Sequence, residues 1–341
     1  MSTAAPGSQL RQLIFGFMPA YVVRATAQLG VVDAFGGVPR PTEEVAAELG
    51  LPVDSTRRLL RALTALGLFA EHEDDHFEVL PEADLLGRDH PASVQAIVAM
   101  FTDPLMTRGW EELATAVRNG RTTFDDIFGQ PFFDQLAEEP VKSALFNASM
   151  SAATRGVAAA APSAYDFGRF TSVLDIGGGD GTLLTAILQA HPDLRGAVLD
   201  SAEGAAQAPA RYADAGLTDR ASVVVGDFFS AIPDGYDLHL VKSIIHDWSD
   251  DRCEEILRHS RASIPADGRL LIVEPILPDR AQPGLTPGLY LSDLNMLVNV
   301  GGRERTRADF ESLLKRAGYE LTAVHALPPE TGFWLIEGTP A

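Results

Sequence analysis

Two residues that can move protons stand at the ends of neighbouring apolar runs. His246 follows the run Asp237–Lys242, within Lys242-Ser-Ile-Ile-His-Asp-Trp, and Glu274 closes the run Arg269–Val273. As strands of one sheet, about 4.8 Å apart, the two runs would turn these side chains toward one crevice. A neutral imidazole near pH 7 takes the proton of a hydroxyl as its oxygen attacks an electrophile. A carboxylate beside it holds the ring and stabilises its charged form. A second feature is VLDIGGGDG, Val173 to Gly181, an apolar run that ends at the acid Asp175 and turns through Gly177, Gly179 and Gly181 into a helical stretch from Thr182. A strand–glycine loop–helix unit lets a ligand approach bare backbone at a helix N-terminus. The sixth position of the dinucleotide fingerprint G-x-G-x-x-G is Thr182 here, so the spacing departs from that fingerprint.

Ligands of open α/β sheets lie beyond the carboxyl ends of the strands, and acids stand at those ends. Asp200 closes Gly-Ala-Val-Leu-Asp nineteen residues after Gly181, a suitable distance for gripping ribose hydroxyls. Asp227 and Phe228 follow the next run, where an acid can accept from an adenine amino group and a ring can cover the base. The elements that must position these residues are strands at Ser172–Asp175, Gly196–Leu199, Ser222–Val225, Asp237–Lys242, Arg269–Val273, Glu320–Ala326 and Phe333–Glu337, mostly with helices between them. Such alternation predicts a doubly wound α/β sheet with helices on both faces. Leu327-Pro-Pro-Glu-Thr-Gly is too short for a helical crossover, so the last two strands should form a hairpin.

Before this sheet, the chain to about residue 95 predicts a helix over Leu10–Leu29, a helix N-capped by Thr42 and ending at Gly50, a third helix from Thr56 to Leu66, and a hairpin about Glu73-Asp-Asp. This is a winged-helix pattern. Arg57, Arg58 and Arg61 lie on its third helix, but the turn that would be the wing is acidic and the chain carries a formal charge of −20, which argues against nucleic acid as a partner. Phe15, Phe17 and Tyr21 instead offer an apolar surface to a second copy. Residues 96–165 are expected to be a mostly helical connector whose aromatics, Trp110, Phe124, Phe128, Phe132, Phe133 and Phe146, serve as core or as the wall of a pocket for a flat substrate. No membrane-spanning run or secretory signal is evident, and the single cysteine, Cys253, forms no internal disulfide, so a cytoplasmic protein is expected.

The glycine loop resembles motif I of S-adenosylmethionine-dependent methyltransferases. LVKSIIHDWSDDRCEEIL, GRLLIVEPILP and DLNMLVNVGGRERTRADFESLLKRAGY resemble the plant caffeate and flavonoid O-methyltransferases and the bacterial relatives that decorate aromatic polyketides. The resemblance runs over nearly the whole chain. It implies a class I methyltransferase Rossmann-like sheet over 166–341, an N-terminal winged-helix dimerisation domain over 1–95, a homodimer, and a role in natural-product or antibiotic biosynthesis. For the cofactor, S-adenosylmethionine, it implies contacts from Asp175, Gly177, Gly179, Asp200, Asp227, Phe228 and Lys242. It implies His246 as general base, flanked by Glu274 and by Glu304, which spacing alone does not single out. On the acceptor side it points to Phe146, Met150, Asp247, Asn295, Met296 and Asn299. The family segment around Met150 commonly carries a histidine three residues later in the plant enzymes, and here that residue is Ala153.

The expected reaction is an in-line methyl transfer to a phenolic hydroxyl without a metal, since no His and carboxylate cluster shows metal-ligand spacing. A tailoring enzyme of the same fold that hydroxylates or decarboxylates is the alternative, and a ligand-binding regulator built on the winged helix is a third.

Overall fold

The computed structural model describes residues 7–341. Contacts divide the chain into two compact units, one running to Thr107 and one from Arg108 to Ala341, so the expected connector 96–165 is shared between them.

The first unit carries helices α1 (Ser8–Ile14), α2 (Phe17–Leu29), α3 (Val31–Phe35), α4 (Thr42–Leu49), α5 (Val53–Ala65), α6 (Pro81–Asp84) and α7 (Gln95–Phe101), with α8 (Pro104–Glu111) crossing the boundary. Its small antiparallel sheet has the order β1 (Arg40–Pro41), β3 (His76–Val79), β2 (Phe69–Glu71). The single helix expected over Leu10–Leu29 is broken at Phe15-Gly16, where Phe15 (φ −91, ψ 5) departs from helical geometry and the chain restarts as a second helix. Thr42 opens α4 but does not cap it; its hydroxyl donates to Asp75 O of the hairpin. Val31, Phe35, Val45, Leu60, Leu63, Phe69 and Phe77 form the core. Along α1 and α2 the large apolar side chains point outward instead, Leu13 being 70% and Phe17 57% exposed. Two of the three arginines of α5 are held by the hairpin's acids, Arg57 by both oxygens of Asp75 and Arg61 by Glu71, while Arg58 is exposed.

The second unit continues with α9 (Leu113–Asn119), α10 (Phe124–Phe128), α11 (Phe132–Glu138) and the long α12 (Pro140–Ala164). The alternating region follows as β4 (Ser172–Ile176), α13 (Thr182–Ala190), β5 (Arg195–Asp200), α14 (Ala208–Asp214), β6 (Ala221–Val225), β7 (Leu238–Lys242), α15 (Asp250–Ser263), β8 (Arg269–Glu274), α16 (Pro287–Asn299), α17 (Arg307–Arg316), β9 (Tyr319–Ala326) and β10 (Trp334–Pro340). The sheet order is β6-β5-β4-β7-β8-β10-β9. Its first five strands are parallel and β10 runs antiparallel to both β8 and β9, the expected hairpin. Strands β4, β5, β7 and β8 are buried on both faces between two apolar clusters, as parallel strands under helical cover must be. Strand order reverses between β4 and β7, so the crevice at their carboxyl ends is the place for a ligand. No helix among the described residues is long and apolar enough to cross a membrane.

Candidate active site

Burial of β4 forces its last residues and the glycine loop into a tight turn. Gly177 has φ +69, and a Cβ there would sit 2.3 Å from Ile244 Cδ1, so only glycine fits. Asp180 accepts from the Thr182 N–H and hydroxyl, capping α13, and is paired with Arg211. The Gly179 N–H donates to Asp200 Oδ2 (2.8 Å), and Ser201 N–H to Asp200 Oδ1 (2.7 Å). Motif I and the end of β5 are therefore one construction. Asp175 lies beneath the loop, 1% exposed, with Oδ1 unpartnered. Burial, together with the charge of Asp200, pushes its carboxyl up to about 7.

The residues after β7 form a short turn that brings His246 over the end of β8. Glu274 Oε1 accepts from the backbone N–H of Ile244 (3.0 Å) and Ile245 (3.0 Å) and, at 3.4 Å, from that of His246, so this carboxylate shapes the turn as well as facing the ring. His246 Nδ1 lies 3.2 Å from Glu304 Oε1 and 3.5 Å from Glu274 Oε2. Ser292 Oγ donates to Glu304 Oε1 (2.7 Å), and Asp293 accepts from the Glu304 N–H (2.8 Å). Since a carboxylate accepts, Nδ1 carries a proton where it meets Glu304, and Nε2 is the nitrogen left to exchange a proton with a substrate. Asp247 Oδ1 lies 3.6 Å from Nε2. Burial alone would lower the imidazole's pKa, but Glu274, Asp247 and Glu304 together raise it to about 10. Burial raises the carboxyls of Asp247, to about 7, and Glu274; at Glu304 burial is outweighed by the bond and charge of His246 together with Ser292 and Arg305, and its pKa is lowered.

The block Gly301–Thr306 clasps this turn. The Arg303 N–H donates to His246 O (2.9 Å). Arg305, 1% exposed, reaches Ile245 O (2.5 Å), Trp248 O (2.9 Å) and Asp250 Oδ1 (2.7 Å). Gly302 packs so closely that a Cβ would lie 2.0 Å from His246 O. Thr306 and Asp309 close the block with a reciprocal capping box on α17. Ser249 is the N-cap position of α15 without a side-chain bond, and Asp250 serves Arg305.

Other expected residues take varied places. Lys242 Nζ donates to Thr154 Oγ1 (3.0 Å) and stands 5.2 Å over the Phe333 ring, and burial lowers its pKa against the pull of Glu274, Asp175 and Asp247. Asp227 accepts from Phe229 N–H and the Ser230 hydroxyl in its own turn. Phe228 lies beside Gly177 and tilts against Phe229 (4.9 Å between centroids). Phe229 meets Trp248 edge-on, Trp248 stacks on Phe133, and Phe133 meets Phe146, so half-buried rings run without a break from the cofactor side to α12. Phe124 and Phe132 are core. Met150 and Met296 are half-buried. Asn295 Oδ1 accepts from Trp110 Nε1 (3.1 Å) and from Asn299 Nδ2 (2.9 Å). Asn299 is itself buried, so it stands behind Asn295.

One expectation needs correction. Although the spacing shows no metal-ligand cluster, folding gathers His246, Glu274 and Glu304 so that their donor atoms lie within 4.8 Å of one another. His246 lies in the turn after β7, Glu274 ends β8 and Glu304 lies on the loop before α17, so the cluster is scattered in the sequence. Their bonding suits a proton: the ring's Nδ1 hydrogen and the Ser292 hydroxyl both point at Glu304 Oε1.

Residues 110–320 match the O-methyltransferase domain and residues 11–86 the O-methyltransferase dimerisation domain. The chain belongs to this O-methyltransferase family. It is 43% identical over 330 residues to O-demethylpuromycin-O-methyltransferase of Streptomyces alboniger, covering 96% of this chain and 88% of that one. The crystal structure of LaPhzM matches with a TM-score of 0.92 at 36% identity, over 99% of this chain and 100% of that one. That of NcsB1, an O-methyltransferase from neocarzinostatin biosynthesis in complex with S-adenosylmethionine and 2-hydroxy-5-methyl naphthoic acid, matches with a TM-score of 0.76 at 32% identity, over 95% of this chain and 96% of that one. The family's cofactor is S-adenosylmethionine. This O-methyltransferase has a site that fits it: a glycine turn crowded at Gly177, Gly178 and Gly181 and open at Gly179, an unpartnered buried Asp175 oxygen beneath it, and more carboxylates than cations for a ligand with a positive sulfur. Sequence reasoning missed Ser292, Gly302 and Arg305; of these, only the two in the tight Gly-Gly-Arg-Glu-Arg-Thr block carried a local signal, and Trp110 was singled out as an aromatic but not as a partner of Asn295.

Proposed function

We propose that the enzyme methylates a phenolic hydroxyl of a small aromatic natural product, with His246 as the base. The observation that carries this reading is the engagement of His246 Nδ1 by two buried carboxylates, which leaves Nε2, 3.6 Å from Asp247, as the nitrogen that takes a substrate proton when the ring is neutral. Bound S-adenosylmethionine supplies a methyl group already activated on cationic sulfur. Asp200, Gly177 and Gly179 would hold its ribose and amino-acid portions, Phe228 and Asp227 its base, and Met150 would lie near the sulfur. The acceptor ring would lie along Phe146, Phe133 and Trp248, with Asp247, Asn295 and Met296 about it. As the phenol oxygen attacks, its proton passes to Nε2, and Glu304 and Glu274 stabilise the imidazolium. The rest of catalysis is alignment and exclusion of water.

The functional segments would be a dimerisation portion over 1–95, a connector over 96–165 whose α11 and α12 wall the acceptor, and a cofactor portion over 166–341. The outward apolar side chains of α1 and α2 would meet a second copy, making a homodimer. With Arg57 and Arg61 already bound to hairpin acids, this unit offers little to a nucleic-acid backbone. The balance of charges and one buried free cysteine suit a cytoplasmic enzyme.

The test is mass spectrometry after incubation with S-adenosylmethionine and a panel of simple and polycyclic phenols. A product heavier by one methylene, lost with His246→Ala by about 10²–10⁴-fold in turnover while cofactor affinity holds, is expected. A product heavier by oxygen or lighter by carbon dioxide would overturn methyl transfer, and normal turnover in the variant would remove His246 from the mechanism.

A further inference from the structure

The amide of Asn295 is oriented by its neighbours. An indole N–H can only donate, so the bond from Trp110 Nε1 assigns the atom facing it as the Asn295 oxygen. The same oxygen also accepts from Asn299 Nδ2, whose carrier is 1% exposed. With its oxygen held from two sides, Asn295 must turn its NH₂ away from Trp110 and Asn299. Among the described residues no group accepts from that NH₂, and the residue is half-buried. Helical spacing puts Ser292, Asn295, Met296 and Asn299 on one face of α16. Ser292 on that face donates to Glu304, which holds the catalytic ring, and Asn295 stands one turn along, about 4.5 Å further down the axis.

Resting on the reading of the site as an aryl-hydroxyl methylation site, we propose that Asn295 selects acceptors that carry a hydrogen-bond acceptor, a carbonyl or ring nitrogen, on the same fused ring system as the hydroxyl. The amide presents a fixed donor to such a group beside the base. A plain phenol leaves this donor without a partner in a half-buried wall. A site built to hydrogen-bond its substrate discriminates strongly against analogues that lack the partner.

The experiment uses 1-hydroxyanthraquinone and 1-hydroxyanthracene, which share a ring frame and differ in the carbonyls. Dissociation constants with cofactor product bound, and kcat/KM with cofactor at saturation, are measured for the native enzyme and for Asn295→Asp. The aspartate keeps an oxygen for Trp110 and Asn299 but replaces the outward donor by an acceptor. The native enzyme should favour the quinone by about 10-fold or more in binding and in kcat/KM, and the variant should lose or invert that ratio. Taking the ratio within each protein cancels the effect of the added charge on His246. Equal binding of the two compounds by the native enzyme, or a ratio unchanged in the variant, would overturn the proposal. Absence of methyl transfer to either compound despite the binding preference would count against the phenol reading and leave the donor assignment standing. Asn295→Leu, which lacks both groups, gives an independent check: it too should erase the ratio.

Discussion

Replacing Glu304 by Gln isolates the charge that holds the catalytic imidazole. The amide keeps an oxygen where Oε1 accepts from His246 Nδ1 at 3.2 Å and from Ser292 at 2.7 Å, so the geometry survives and only the charge is removed. An opposite charge at such a distance is worth about 1–3 pK units to a histidine, or about 1.4–4 kcal/mol. Glu274 and Asp247 remain, and the ring, raised to about 10 in the native protein, should fall by that amount without reaching its ordinary value. The sign is definite: the base works when neutral, so a lower pKa moves the acid limb of kcat/KM to lower pH. The plateau should drop as well, by about 10–10²-fold, because the imidazolium formed during proton transfer is less stabilised. The assay is the pH dependence of kcat/KM for a methylated phenol, at saturating cofactor, for native and variant enzyme side by side. A limb that stays in place, or moves to higher pH, would refute the electrostatic coupling of Glu304 to His246.

Three further outcomes follow from the same geometry. Binding of S-adenosylmethionine near neutral pH should release protons, because a positive sulfur lowers the pKa of the Asp175 and Asp247 carboxyls, which burial holds at about 7; S-adenosylhomocysteine, with neutral sulfur, should release fewer, and equal release by the two in calorimetry with buffers of different ionisation heat would show that these carboxyls are not coupled to the sulfur. Gly302→Ala places a Cβ 2.0 Å from His246 O, so kcat should fall about 10²-fold or more through displacement of the catalytic turn while cofactor affinity changes little; an unchanged kcat would show that the clasp does not position the base. His239, buried on β7 with Nδ1 2.8 Å from Ser260 Oγ, has its pKa lowered by burial from 6.5 to about 4, so its contribution to stability is complete above pH 6.5 and is lost as pH falls toward 4. Denaturation at pH 7.5 and pH 5 should show a loss of about 2 kcal/mol at the lower pH that His239→Asn largely removes.

The sheet was legible because its central strands are apolar runs buried on both faces and bounded by turn residues, and because a six-residue link before Phe333 admits only a hairpin. His246 and Glu274 were legible for a related reason: strand ends predict a shared crevice. The break at Gly16 was not, since the apolar spacing continues through it and only the backbone step reveals it. Glu304 could be placed only by resemblance. It lies on a loop between two helices, and what returns it to the ring is Arg305, bonded to carbonyls on both sides of His246. The pairing of Trp110 with Asn295 joins residues 185 positions apart, and nothing local in either segment announces it. Lys242 and Asp227 carry the right residue types at the right strand ends, yet their observed partners, Thr154 and the turn after β6, depend on packing that spacing does not encode.

The one thiol of this chain sits against the back of the catalytic turn. Cys253 Sγ donates to Ile245 O (3.1 Å) and is covered by Arg305, and burial pushes its pKa up to about 12. A disulfide reagent therefore finds no target while the turn is closed, and the protein has no other cysteine to confuse the signal. The rate of thiol labelling is thus a clock for the opening of the segment that carries the base, readable without any added probe. Ligands that settle the turn should slow this clock, and substitutions that loosen the arginine clasp should speed it.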